Sequence, residues 1–219
     1  MPSQFLSLLL FLLLLLILIL ITETLHRYFK LPAEQSRKFL HLTGGLMCLL
    51  CPTFFHSHWW LLPLAAIAFL LLLITYKKNL LPSIHQTKRF SIGSVLFPIP
   101  VYVCFLLADV LNNNLLFYLP VSLLTISDTA AETGGNKWGH LTKQFFGGRK
   151  SLAGSLSFFF TSLVVIFIWL YFFYHWPIKN IYTIGLAIAV ATTITELITL
   201  HGWDNLSVPL VAVVLLLLL

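Results

Sequence analysis

Charge is what this sequence has least of. Asp, Glu, Lys and Arg together make up 9% of its 219 residues, where a soluble domain carries roughly 25%. With 59% apolar residues, a water-soluble globule is excluded and the chain reads as an integral membrane protein. Cysteine is also sparse, at Cys48, Cys51 and Cys104. Cys48 and Cys51 have C-x-x-C spacing, but they lie in the apolar run LMCLLCP with no second Cys pair, so they read as core residues and not as metal or redox groups. No internal repeat is visible, and the modest length points to one domain over 1–219. No basic region precedes the first apolar run at 5–22 and no small-residue cleavage site follows it. That run exceeds the roughly 7–15 residues of a signal-peptide core, so 1–25 reads as a retained transmembrane helix.

Apolar segments recur near 4–22, 39–55, 59–75, 92–111, 115–131, 152–174, 178–200 and 206–219. Since a spanning helix needs about 17–25 residues, the expected fold is an all-α, polytopic membrane bundle of 7–8 transmembrane helices. The segment near 115–131 ends in a polar stretch and is expected to stop inside the membrane. Arg27, Lys30, Arg37 and Lys38 fall in the first connection, Lys77, Lys78, Lys88 and Arg89 in the third, and Lys137, Lys143, Arg149 and Lys150 in the fifth. Strict alternation puts these loops, and the loop at 201–205, on one side, which the positive-inside rule makes cytoplasmic. The N-terminus is then outside. The formal charge of +6 is thus read as membrane topology and not as nucleic-acid binding. His56, His58 and His175 fall at the opposite face and read as interfacial belts.

Residues 127–155, SDTAAETGGNKWGHLTKQFFGGRKSLAGS, break the apolar pattern, and ionisable groups at membrane depth mark a functional site by default. Asp128 and Glu132 stand four apart, on one face if helical. Carboxylates so spaced suit Mg²⁺ held together with substrate phosphates. Gly147, Gly148, Arg149, Lys150, Ser151 and Gly154 form G-G-R-K-S-x-x-G before the next span, where glycines allow close approach and a helix N-terminus offers free N–H groups to phosphate. The run lacks the spacing of a P-loop, and no strand is expected before it. Arg37, Lys38 and His41 form R-K-x-x-H, with His41 expected near the reacting hydroxyl. Lys88 adds charge before SIGSVLFP. Glu196 lies inside an apolar helix, where it is either structural or paired with Asp204 at a metal or hydroxyl site. Asp204 and Asn205 follow in HGWDNLSVPL.

In this order, RKFLH at 37–41, SIGSVLFP at 91–98, SDTAAETGG at 127–135, GGRKSLAGS at 147–155 and the run from Glu196 to Leu210 resemble the polyprenol and lipid kinase family. That family includes dolichol kinase, phytol kinase and CTP-dependent diacylglycerol kinase, and it is more distantly similar to phosphatidate cytidylyltransferases. The resemblance covers 37–210. It implies CTP as phosphoryl donor and a lipid alcohol as acceptor. It assigns Asp128 and Glu132 to an acidic nucleotide–metal motif, Lys150, Ser151 and Gly154 to a basic motif, and Asp204 and Asn205 to D-N-L-x-x-P-L. Ala153 stands where the family often has Glu, and Ser127 where it often has Gly.

The leading expectation is therefore a CTP-dependent lipid-alcohol kinase. Its expected metal ligands are Asp128, Glu132 and Asp204, with one of the first two serving as base, and Lys150 and His41 join them in catalysis. Arg37, Lys38, Lys88, Gly147, Gly148, Arg149, Lys150, Ser151, Gly154 and Asn205 are expected to hold the nucleotide. One rival is a cytidylyltransferase that makes CDP-lipid from a lipid phosphate. The other is a small transporter or scaffold without enzymatic activity.

Overall fold

The computed structural model describes residues 3–86, 91–139, 142–145 and 148–218, with backbone alone for 142–145, 148 and 149. The eight apolar segments appear as helical segments in the expected order. Helix α1 spans Gln4–Arg27 and starts at Ser3, whose Oγ accepts from the Leu6 amide at 3.3 Å. Phe11 and Ile19 face the bundle while Leu9, Leu13, Leu16 and Leu20 stay exposed, as a helix with one lipid-facing side requires. Helix α2 spans Ala33–Cys48. It breaks before a short turn at Cys51–Phe54 because Pro52 has no N–H and its ring crowds the preceding turn. Helix α3 is His58–Lys77, and α4 is Gly93–Val110.

Helix α5, Leu115–Ser122, is buried at every residue except Tyr118. One core, with Phe11, Phe55 and Phe105, packs on its Leu116, Phe117 and Val121; a second, with Ile166, Leu170 and Ile188, packs on Leu115 and Leu119. This helix is the wall between two half-bundles. Its hydrogen-bond ladder then widens into a π turn over Leu123–Ser127 and resumes as α6, Asp128–Trp138. The helix therefore carries on beyond the apolar stretch instead of stopping inside it. Helices α7 (Leu152–Phe173), α8 (Ile178–Ile198) and α9 (Asp204–Leu218) complete the bundle. Helices α1, α3, α4, α7 and α8 are long and apolar enough to cross a bilayer; α9, at 15 residues, is shorter.

One element departs from the all-helical expectation. Strands β1 (Thr142–Phe145) and β2 (Gly148–Ser151) form an antiparallel hairpin, with Lys143 opposite Lys150 and Thr142 opposite Ser151. A strand does precede α7, then, although paired antiparallel and not as in a parallel phosphate-loop fold. Its physical role is to deliver Lys150 and Ser151 to the start of α7. There the Ser151 hydroxyl accepts from the Gly154 amide at 3.1 Å, an N-cap that satisfies one free helix donor.

Close helix contacts surround the π turn. A β-carbon on Gly45 would collide with the Thr125 side chain, whereas one on Gly44 would meet nothing within 4 Å. At the opposite end of the bundle, the Asp109 carboxylate accepts from the His58 amide at 2.8 Å and lies 2.7 Å from its Nδ1. His58 is thus a lock between α3 and α4 and more than an interfacial ring. Gly45→Ala is expected to destabilise the detergent-purified protein by about 1–3 kcal/mol through overpacking. Gly44→Ala should be neutral or stabilise by up to about 1 kcal/mol, as helix propensity alone dictates. Thermal melts of the two variants side by side check this, and equal shifts would contradict the packing described.

Candidate functional site

A cavity of about 740 Å³ opens among α1, α2, α3, α4, α6, α7, α8 and α9, with its polar end where α1 finishes. It gathers residues from every motif singled out in the sequence. Arg37, Lys38, His41, Asp128, Glu132, Lys150, Ser151, Gly154, Asp204 and Asn205 all line it. Gly148 and Arg149 lie on β2. Lys88, Gly147 and the side chain of Arg149 lie outside the described residues.

The chain has seven Asp and Glu residues, and Glu34, Asp128, Glu132, Glu196 and Asp204 all line this one cavity. The other two are fully engaged elsewhere. Glu23 accepts from Arg27 Nε at 2.5 Å and Ser83 Oγ at 2.6 Å, and Asp109 holds His58. Inside the cavity the partners divide sharply. Lys150 Nζ donates to Glu196 and also to Asp204 Oδ2 at 3.0 Å. Ser155 Oγ donates to the second Glu196 oxygen at 3.4 Å. Glu196 is only 3% exposed, and a carboxylate so placed requires a cation beside it. Burial would by itself push the Lys150 ammonium down, but Asp204 and Glu196 outweigh it and hold the group well above the usual lysine range. A cation with a raised folded-state pKa contributes its full stability below the unfolded value. It loses that stability only as pH rises through the folded one, so this knot is intact across the physiological range.

Asp128 and Glu132 have looser partners. Arg37 Nη2 and Lys38 Nζ lie 3.5 and 3.7 Å from Glu132 Oε1, and His41 Nε2 lies 3.6 Å from Asp128 Oδ2. These separations exceed normal charge-assisted hydrogen bonds. Both carboxylates therefore keep lone pairs for a ligand, and Arg37 and Lys38 keep donors. His41 Nε2 instead donates to the Leu124 carbonyl in the π turn at 2.9 Å. Its proton on that nitrogen is committed to holding α2 against the turn.

Small residues bring the walls together. A β-carbon on Gly154 would come within 2.9 Å of the Ala131 carbonyl, so Gly154 sets the α6–α7 approach as well as lining the cavity. Gly202, at φ +90°, stacks its loop on Gly93, and the Ile92 amide donates to the His201 carbonyl at 2.9 Å. That contact docks the SIGSVLFP segment against the Asp204 loop and leaves Asn205 packed on Gly93. Ser94 lines the cavity, and its buried Oγ has no partner among the described residues. Ala153 is not among the lining residues; its carbonyl accepts from Ser157 Oγ at 2.8 Å.

Among the described residues, no three Asp, Glu, His or Cys side chains converge as a metal cage. Asp204, expected from the sequence at a metal beside the Asp128 and Glu132 pair, is hydrogen-bonded to Lys150 at 3.0 Å. The donor set still fits Mg²⁺, which is commonly bound by one or two carboxylates with substrate phosphates filling other positions. Glu196 was the acid the sequence left undecided; its signal was an ionisable residue inside an apolar helix.

The chain is similar to a phytol kinase from Synechocystis sp., at 28% identity over 197 residues that cover 86% of this chain and 80% of that protein. No family model matches it, and no solved structure does. The similarity supports the resemblance to the lipid kinase family that the motifs carry. For the Lys150 knot, Lys150→Met is expected to cost about 3–5 kcal/mol by leaving a buried carboxylate unpaired. Glu196→Gln added to Lys150→Met should recover part of that loss. A double-mutant cycle from melting of the purified protein measures the coupling, and strictly additive losses would contradict the pairing.

Proposed function

We propose that this chain is a membrane-embedded kinase that transfers the γ-phosphoryl group of CTP to the hydroxyl of a lipid alcohol, with Mg²⁺ as the metal. The observation that carries the reading is the division of the cavity. One end holds Asp128 and Glu132 with unfilled oxygen positions beside Arg37 and Lys38. The other continues as an apolar arm lined by Leu61, Leu64, Ala68 and Leu72 of α3 and Val101 of α4. A polyphosphate and an alkyl chain require those two environments side by side.

Among the described lining residues, five carboxylates face three Lys or Arg cations. A polyphosphate entering this negative field needs added positive charge, which favours its arrival with a divalent cation. Asp128 and Glu132 would hold that ion with the phosphates, and it would neutralise charge building on the transferred group. Phosphoryl transfer asks the protein mainly for positioning and electrostatic stabilisation. Arg37 and Lys38 orient the phosphate oxygens. The Asp128 carboxylate takes the proton from the lipid hydroxyl. The new bond joins that oxygen to the γ-phosphorus. The bond to the bridging oxygen breaks, and CDP leaves. Lys150 serves by holding Asp204 and Glu196 in place, with its own charge already balanced. The positive-inside rule puts the polar end on the cytoplasmic side and the N-terminus outside.

Phosphorus label tests the reaction. With purified protein, CTP and a lipid-alcohol extract, label at the γ position is expected in the lipid and label at the α position is not. The opposite result would identify cytidylyl transfer and overturn the kinase reading. Asp128→Asn is expected to lower turnover by about 10²–10⁴-fold, the usual contribution of a positioned acid–base group, with melting retained. Near-normal turnover in this variant would remove Asp128 from the mechanism.

A further inference from the structure

Among the described residues, five hydroxyl side chains line the cavity: Ser91, Ser94, Thr129, Ser151 and Ser155. Four of them are engaged within the protein. Ser91 Oγ accepts from the Gly93 amide at 3.3 Å, and Ser151 Oγ from the Gly154 amide at 3.1 Å. Thr129 Oγ1 donates to the Thr125 carbonyl at 2.7 Å, and Ser155 Oγ to Glu196 at 3.4 Å. Ser94 is the exception, with a buried Oγ that has no partner among the described residues. The other side chains with such an atom, Ser7, His85, Thr125, Ser127 and Ser162, do not line the cavity. A buried hydroxyl left without a hydrogen bond lowers stability, so a ligand that supplies the missing partner gains binding energy there.

Ser94 stands in the first turn of α4. Phe97, Pro98 and Val101 follow it at helical spacing and line the same cavity. The Phe97 ring meets the His41 ring edge to face at 5.0 Å, and His41 Nε2 lies 3.6 Å from Asp128 Oδ2. Asp128 is thus at the level of Phe97, and Ser94 lies about 4.5 Å nearer the polar end along the α4 axis. Below Phe97 this face of α4 offers only Pro98 and Val101 to the cavity. Ser94 therefore marks the step from apolar wall to polar wall.

Resting on the lipid-kinase reading, we propose that Ser94 holds the acceptor hydroxyl, its Oγ–H donating to the oxygen that attacks the γ-phosphorus. A chain lying along Val101 and Pro98 brings its terminal oxygen to this step, between Ser94 and Asp128. That oxygen has one proton and two lone pairs, as any hydroxyl does. The proton goes to Asp128 and one lone pair forms the bond to phosphorus. The second lone pair is left, and the Ser94 hydroxyl fills it without taking part in any covalent step. Three directions around the oxygen are then fixed, which aims the attacking lone pair. A neutral serine suits a neutral alcohol, whereas the phosphates have Arg37 and Lys38.

The test uses the full-length protein in detergent, with Ser94→Ala and Ser94→Thr beside it. Without nucleotide, retention of tritiated hexadecanol is compared with that of tritiated hexadecane. Ser94→Ala is expected to lower the alcohol-to-alkane ratio about 3–10-fold, the worth of one hydrogen bond, and Ser94→Thr to restore it. The ligand-free melting temperature of Ser94→Ala should be unchanged or higher, because the hydroxyl it removes has no partner to lose. A serine with a structural role would melt lower on the same change. With γ-labelled CTP, Ser94→Ala should lower kcat/KM for the alcohol while retention of CTP stays the same. An unchanged ratio in folded Ser94→Ala, or failure of that variant to fold, would overturn the assignment. So would weaker CTP retention with the alcohol preference intact, which would give the hydroxyl to the nucleotide. Loss of the preference in a protein that phosphorylates no alcohol would keep Ser94 as the hydroxyl site and overturn the kinase reading. Phosphorylation unaffected by Ser94→Ala would do the reverse.

Discussion

An ionised carboxylate removed from water costs several kcal/mol unless a cation and hydrogen bonds stand beside it. The Lys150 ammonium meets that demand for both Glu196 and Asp204. Those residues come from α8 and α9, and Lys150 from the hairpin before α7. One cation therefore draws together three parts of the chain that are 46 and 54 residues apart. Without it, α8 would carry a bare charge among apolar neighbours and the start of α9 would have no partner across the cavity. The Ser151 cap directly after Lys150 directs α7 away from this knot. The second half of the site depends on the knot.

The first half depends on the backbone. Pro120 removes one donor from the ladder of α5, and the π turn follows within one helical turn. Such turns recur at functional sites because they re-aim the side chains after them. Here the next residue is Asp128. His41 secures the turn from α2 through the Leu124 carbonyl, and Gly45 lets α2 come close enough for that bond. The same helix then presents Arg37 and Lys38 to Glu132. A polar contact between two helices thus sets the position of the carboxylates and of the cations facing them.

The two halves differ in how much of their charge is spoken for. Glu23, Asp109, Glu196 and Asp204 have short, specific partners. Among the described residues, the charged partners of Asp128 and Glu132 stand 3.5–3.7 Å away. A site that takes up and releases a charged ligand needs groups of the second kind held by groups of the first kind. The apolar arm beside them is lined by Leu61, Leu64, Ala68 and Leu72 of α3, which carry no charge.

Much was legible in the linear chain because lipid is an undemanding but strict solvent. Each apolar run of sufficient length becomes a helix, since a backbone in lipid must satisfy its own hydrogen bonds. Every charge that interrupts such a run needs a reason. That logic located the eight apolar segments that fold as helix, singled out Asp128, Glu132, Arg37, Lys38 and Asp204, and joined them to a lipid-kinase resemblance. It did not show the hairpin at 142–151, where short polar strands have no periodic signal, nor the continuation of the helix to Trp138. It also could not apportion the charges. Lys150 read as a phosphate ligand because it stands among glycines and next to Arg149; only the packing of α8 and α9 turned it toward Glu196 and Asp204. His41 read as a catalytic group because it follows Arg37 by one helical turn, and only the π turn supplied the carbonyl that accepts its hydrogen bond. Composition and periodicity determined the solvent, the helices and the chemical types at the site, since those depend on each residue and its near neighbours. Pairing among the charges, and their convergence on one cavity, depend on distances between segments tens of residues apart, and the tertiary structure alone decided those.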